Sequence, residues 1–156
     1  MSTVTTEKAL SYEEERGKPL PSLNHCAVQM TLGAQFMRDQ QFRVHSELTL
    51  DIGGKPMTPD LSVYRRAPLD LRHDMPRCTE PPLLVVEILS PQQPIQEIMN
   101  KIDTYFSFGV KSCWVVSPTM HSIQILTSDG KEIVLNSGTA TDPVTGLTAD
   151  LSTVFS

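Results

Sequence analysis

Apolar and polar positions change period several times along this chain, and each change predicts an element. From about residue 23 to 40, Val28, Leu32 and Phe36 recur at i, i+4 and i+8, the buried stripe of a helix. Asn24 is its expected N-cap. His25 lies on the same face, three residues before Val28. A period of two follows. Phe42, Val44, Leu48 and Leu50 alternate with Arg43, His45, Glu47, Thr49 and Asp51, a half-buried strand. Gly53-Gly54 predicts a two-residue hairpin turn. The returning strand, residues 57–64, puts Leu61 and Val63 on one face and Asp60, Ser62 and Tyr64 on the other. Centring the turn on the two glycines sets Glu47 opposite Asp60. Like charges in that position destabilise a hairpin, and the register pairs them unless a bulge intervenes.

The stretch "PPLLVVEILSP", from Pro81 to Pro91, is apolar on both faces, as in a central strand. Leu84, Val86 and Ile88 face one way; Leu83, Val85, Glu87 and Leu89 face the other. Glu87 is the anomaly, because a buried carboxylate needs a partner, a metal or a proton. A helix follows over about residues 94–108. Its apolar stripe is Ile95, Ile98, Ile102, Tyr105, Phe106 and Gly109, and its wet face is Glu97, Asn100, Asp103 and Ser107. Lys101 flanks the stripe, within reach of the sheet, and Gly109 ends the helix. "VKSCWVVSP", "SIQILTS" and "DGKEIVL" read as three more strands, the last after a turn at Asp129-Gly130, and "GLTADLSTVF" as a C-terminal docking segment. A buried strand joined through a helix to another strand is a crossover unit. The fold class is therefore α/β, with a mixed β-sheet core flanked by helices and an antiparallel extension.

Residues 1–21 are polar, with acids at Glu13, Glu14 and Glu15. They are expected to form a mobile or loosely docked arm ahead of a domain over residues 22–156. Residues 67–80 are a proline-punctuated connection, with Arg65, Arg66, Arg72 and Arg77 around it; a solvated loop and a phosphate contact are both open. Three cysteines at wide spacing, with no CxxC pair, are expected to be free thiols, two of them in the core. No apolar run approaches the roughly 20 residues that span a bilayer, and residues 1–17 hold no signal-peptide core, so a cytoplasmic location is expected. The net charge of −5 argues against a broad nucleic-acid footprint. It leaves room for metal-neutralised acids at a nuclease site.

On this frame Glu47, Asp60, Glu87 and Lys101 converge. Two or three carboxylates around a point suit a hard cation such as Mg²⁺, which keeps waters and phosphate oxygens in its shell. A neighbouring lysine can orient a water or offset phosphate charge. Glu87 and Lys101 as a bare ion pair, with Asp60 as a turn residue, is the structural alternative.

These residues carry a resemblance. "TPD" at 58–60 and Glu87 in "VVEILS" match the first two elements of the PD-(D/E)XK nuclease superfamily. "PDLSVY", "PPLLVVEILSP", "NKIDTYFSFGV" and "CWVVSP", in that order over about residues 24–128, resemble the Uma-two family of restriction-type endonucleases. The resemblance implies a restriction-endonuclease-like fold and a Mg²⁺-dependent DNA endonuclease, with Mn²⁺ as a substitute. Asp60 and Glu87 would bind metal and Lys101 would assist the attacking water. The superfamily's lysine follows the acid by two positions, where this chain has Leu89; in this family the following helix supplies it, and Lys101 stands there. Glu47 joins as a metal ligand only through the hairpin argument. His25 stands where family members tend to have a histidine and is a candidate support for an acid. Cleavage of both strands would imply a homodimer. A catalytically inactive module on the same fold, binding nucleic acid or a protein, and a metal-free glycosidase-like acid–base pair are the competing readings. DNA versus RNA, the target and the biological role stay open.

Overall fold

The computed structural model describes residues 11–156; residues 1–10 of the expected arm and the side chain of Glu15 lie outside the described residues. Four helices, α1 (Tyr12–Arg16), α2 (Leu23–Phe36), α3 (Ile95–Phe108) and α4 (Leu151–Val154), surround a sheet. The strands are β1 (Phe42–Ser46), β2 (Leu50–Ile52), β3 (Lys55–Met57), β4 (Leu61–Arg65), β5 (Leu84–Ile88), β6 (Ser112–Ser117), β7 (Ser122–Thr127), β8 (Glu132–Leu135), β9 (Thr139–Thr141) and β10 (Thr148–Asp150). Six of them form one mixed sheet in the order β1-β4-β5-β6-β7-β8, while β2–β3 and β9–β10 pair separately. Within the large sheet only β5 and β6 run parallel, joined across α3 as the crossover pattern required. The class expected from the sequence, a mixed sheet flanked by helices, is the one observed.

The sheet separates two apolar layers. Leu84, Val86 and Ile88 of β5 pack with Val28, Leu32 and Phe36 of α2 and with Trp114. The Phe36 and Trp114 rings meet edge to face at 5.0 Å, a geometry aromatic quadrupoles favour. On the other side Val85 packs with Ile98, Ile102 and Tyr105 of α3 and with Val115. Glu87 alternates with Val86 and Ile88 and so belongs to the α3 side. Of the helical stripe expected for α3, Ile95 stays out: it is 57% exposed, at the first residue of the helix. Gly109 closes α3 with φ of 120°, where a side chain would be strained.

The hairpin register holds. Leu50 pairs with Met57 across the Gly53-Gly54 turn, and the same count pairs Ser46 with Leu61 further out. The two strands are not continuous, however. The ladder breaks between them, and Glu47 adopts φ of 52°, unusual for a residue with a side chain. Its amide still donates to the Asp60 carbonyl at 3.0 Å, so the two residues do lie opposite each other.

Three local expectations are corrected. Ser22, not Asn24, caps α2, its hydroxyl accepting from the His25 amide. The helix ends at Phe36 rather than Gln40, because Asp39 takes the Gln41 amide and turns the chain. Only Cys113 of the three free cysteines is buried; Cys78 is half-buried and Cys26 exposed. The largest difference lies in the expected arm. Residues 11–21 begin with a capped helical turn, and Arg16 and Lys18 are buried in the domain. Polarity alone suggested solvation; the acids they meet explain their burial.

A candidate acidic site closed by three residues

Asp60 sits at the entry to β4, its backbone fixed on both sides. Its amide donates to the Val86 carbonyl at 3.0 Å, and its own carbonyl accepts from Gln29 Nε2 at 3.0 Å. The side chain is fully buried. Oδ2 accepts from the Ile88 amide at 2.7 Å. Oδ1 meets Lys18 Nζ at 2.8 Å, and Arg16 Nη2 and His25 Nε2 each at 3.2 Å. Glu87 extends from β5 toward α3. Its Oε2 accepts from Lys18 Nζ at 2.9 Å and its Oε1 from Tyr105 Oη at 2.6 Å. One ammonium therefore touches both acids.

Glu47 joins the cluster through Arg16, whose Nη2 lies 2.7 Å from Glu47 Oε1. The like-charge pair that the hairpin register implied is thus bridged by a guanidinium. Tyr12 Oη adds a hydrogen bond to the same Glu47 oxygen at 3.0 Å. Its ring lies under the Arg16 guanidinium, 5.0 Å away.

The electrostatics follow from burial and contact. Burial alone would raise the Asp60 carboxyl; the hydrogen bond from His25 and the charge of Lys18 outweigh it and hold the group at about 2. Burial would lower Lys18; Glu87 and then Asp60 outweigh that and raise it, so it stays an ammonium. Burial and the nearby Glu87 push the Tyr105 phenol well above its ordinary value, keeping it a donor.

Of the residues singled out from sequence, Asp60 and Glu87 come together on Lys18, His25 lies against Asp60, and the Glu47 carboxylate connects to them through Arg16. Lys101 does not reach either acid. Its Nζ donates to the Gly17 carbonyl at 3.0 Å, between Arg16 and Lys18. Leu89, at the usual lysine position, packs into the apolar layer beside α3. Among the described residues no group of three or more His, Cys, Asp or Glu side chains is arranged to hold a metal ion. The donor set for a cation is therefore a carboxylate pair, and an ammonium stands where such a cation would sit. Two hard oxygens suit Mg²⁺, which takes the rest of its shell from water and phosphate.

Sequence reasoning missed Arg16, Lys18 and Tyr105. Tyr105 read as a core stripe residue, which it also is. For the cations one signal existed. "RGKPLP" places two cations around a glycine and follows them with Pro19 and Pro21, a rigid loop rather than a free arm. Of the arginines near residues 67–80, Arg66 donates to the Gln40 carbonyl at 2.8 Å and Arg65 lies over the Phe42 ring at 6.0 Å.

A six-stranded mixed sheet with helices on both faces, with one acid at the entry to β4 and a second on the neighbouring β5, defines an α/β domain. A crystal structure described as a putative nuclease belonging to DUF820, from Anabaena variabilis, is similar to it with a TM-score of 0.71, at 21% identity, over 88% of this chain and 83% of that one. No curated protein matches the chain by sequence. The family model described as Putative restriction endonuclease, Uma2, matches residues 11–153, and the chain belongs to that family. The match takes in Arg16 and Lys18, which the sequence reading had set apart from the domain. No helix among the described residues is long and apolar enough to cross a membrane.

Proposed function

We propose that the protein is a Mg²⁺-dependent endonuclease that hydrolyses phosphodiester bonds of DNA. The observation that supports this most is the buried pair of Asp60 and Glu87 sharing one cation, Lys18. Asp60 and Glu87 would hold the metal, with Mn²⁺ as a substitute. When bound, the metal supplies Lewis-acid polarisation of the phosphate and activation of water. The chain's own residues do the rest. The Ile88 amide and His25 hold Asp60 in a fixed orientation as an anion. Tyr105 fixes Glu87 through its second oxygen. Lys101, on the helix facing Glu87, would orient the attacking water and offset charge on the phosphate. The water oxygen bonds to phosphorus and releases a proton to solvent, the P–O3′ bond breaks and the leaving oxygen takes a proton from solvent, giving a 5′-phosphate and a 3′-hydroxyl. Glu47 would act through Arg16 rather than as a third ligand. One site cuts one strand, so cutting of both would need a homodimer.

The same closed cluster also supports a second reading, an inactive nuclease-fold module whose acids are permanently neutralised by Arg16 and Lys18. Nicking of supercoiled plasmid with Mg²⁺ or Mn²⁺ decides between them. Asp60→Ala and Glu87→Ala are each expected to lower the rate by about 10²–10³, the scale of losing one charge-stabilising group, and Lys101→Ala to lower it less. Equal rates in wild type and all three variants would sink the nuclease reading.

A further inference from the structure

Three consecutive residues engage both candidate acids, Glu47 and the helix lysine: Arg16 contacts Asp60 and Glu47, the Gly17 carbonyl holds Lys101 Nζ, and Lys18 bridges Asp60 and Glu87. We infer that Lys18 is an exchangeable internal counter-ion, a plug in the acid pair that a divalent metal must displace before the site works. The inference rests on reading Asp60 and Glu87 as the metal ligands.

Charge favours the exchange. With His25 neutral, Glu47, Asp60 and Glu87 outnumber Arg16 and Lys18 by one negative charge, and a divalent ion in place of Lys18, with Arg16 staying, makes the set neutral. Position points the same way. Lys18 Nζ lies between Asp60 Oδ1 and Glu87 Oε2, where a cation bridging the two acids would sit, while the other two oxygens hold the Ile88 amide and the Tyr105 hydroxyl. The backbone provides a pivot at the right place. Gly17, between the cation that stays and the one that leaves, has φ of 68° and nothing within 4 Å of where a Cβ would be. The segment has little order of its own. A helix of five residues is far below the roughly 12–15 at which isolated helices become even marginal. The polar contacts that fix it to the body run through the acids and Lys101. Release of Lys18 by metal would also free Lys101 from Gly17, so a single step would open the acids and the helix lysine together.

The test uses Mn²⁺ alone and the full chain. Calorimetry on Lys18→Met is expected to give a Kd at least tenfold tighter than wild type, with binding lost when Glu87→Gln is added. Hydrogen exchange on wild type is expected to show residues 12–18 exchanging faster with Mn²⁺, because linkage is reciprocal. That second measurement stands even if Lys18→Met folds poorly. Equal or weaker binding by Lys18→Met, or slower exchange of residues 12–18 with metal, would overturn the plug and leave the nuclease reading standing. The expected metal behaviour without any nicking of plasmid would overturn the nuclease reading and leave the plug. Absence of Mn²⁺ binding in every variant would overturn both.

Discussion

The molecule buries two aspartates and satisfies them by opposite means. Asp142, between β9 and β10, is surrounded by neutral donors. Its Oδ1 accepts from Ser112 Oγ and from Trp114 Nε1, the latter at 2.9 Å. Its Oδ2 accepts from the Val144 amide, the Thr145 amide and Thr145 Oγ1 at 3.1, 2.7 and 2.8 Å. Most of these donors come from its own turn, and the contacts to its carboxylate among the described residues are hydrogen bonds from neutral groups. Asp60 has one backbone donor, Ile88, and otherwise faces Arg16, Lys18 and His25. Those groups come from chain segments far from it in sequence. Neutral donors from a tight turn cannot be exchanged for an ion without unmaking the turn. Side-chain cations on a separate segment can be. The first arrangement is a structural clasp; the second has the form of a site.

The largest effect that would break this contrast is on stability. Asp142→Ala removes the acceptor for Trp114, Ser112 and Thr145 at once, leaving several buried donors unpaired. A loss of about 3–5 kcal/mol is expected, since each orphaned buried donor costs roughly 1–3 kcal/mol and relaxation recovers part. Urea unfolding measures it. A loss under about 1 kcal/mol would mean that water replaces the carboxylate easily and that the turn is no clasp.

How much of this was legible in the sequence depends on range. The hairpin register, the β5–α3–β6 crossover and the two faces of β5 follow from local periods, and the residues involved behave as alternation dictates. The helix phase placed Lys101 beside the apolar stripe, and it does point off that stripe. Its acceptor could not be read, because Gly17 lies 84 positions away. Lys18 was illegible for the same reason: its partners lie 42 and 69 positions off. The prolines of "RGKPLP" mark a rigid loop, but nothing local names the distant acids that bury its cations. The break at Glu47 was hidden differently. Its alternation fits a continuous strand, and only the packed structure turns it to positive φ. Short β9 lacks enough residues to display a period at all.

A middle-sized effect sharpens the comparison through pH. Asp60 has a folded-state value of about 2 against an ordinary 3.8. Its ionised form therefore stabilises the fold fully above the unfolded value, and that contribution fades as pH falls toward 2. The expected loss is about 2 kcal/mol. Lys18 works at the other end. Its raised value gives stability that is complete below 10.5 and is lost as pH climbs through the folded value. Urea unfolding across pH should show a plateau between these limits, with Asp60→Asn lowering the plateau and removing the acid-side slope that Asp60 supplies. An unchanged acid slope in Asp60→Asn would show that Arg16, Lys18 and His25 do not hold the carboxylate in solution.

The smallest effect tests the mixed case, Glu87, which has one neutral donor and one cation. Tyr105 is buried in the α3 layer, so Tyr105→Phe keeps its packing and removes only the hydroxyl at Glu87 Oε1. A buried carboxylate oxygen then lacks a donor, which should cost about 1–2 kcal/mol. The change is smaller than for Asp142 because Lys18 still neutralises Glu87 through the other oxygen. A double-mutant cycle of Tyr105→Phe with Glu87→Gln should give a coupling of about 1 kcal/mol, because the amide accepts the phenol less strongly than the carboxylate does. Zero coupling would mean that the phenol and the acid do not meet in solution. Glu87 would then depend on Lys18 alone, and the neutral-donor arrangement would belong to Asp142 and not to the site.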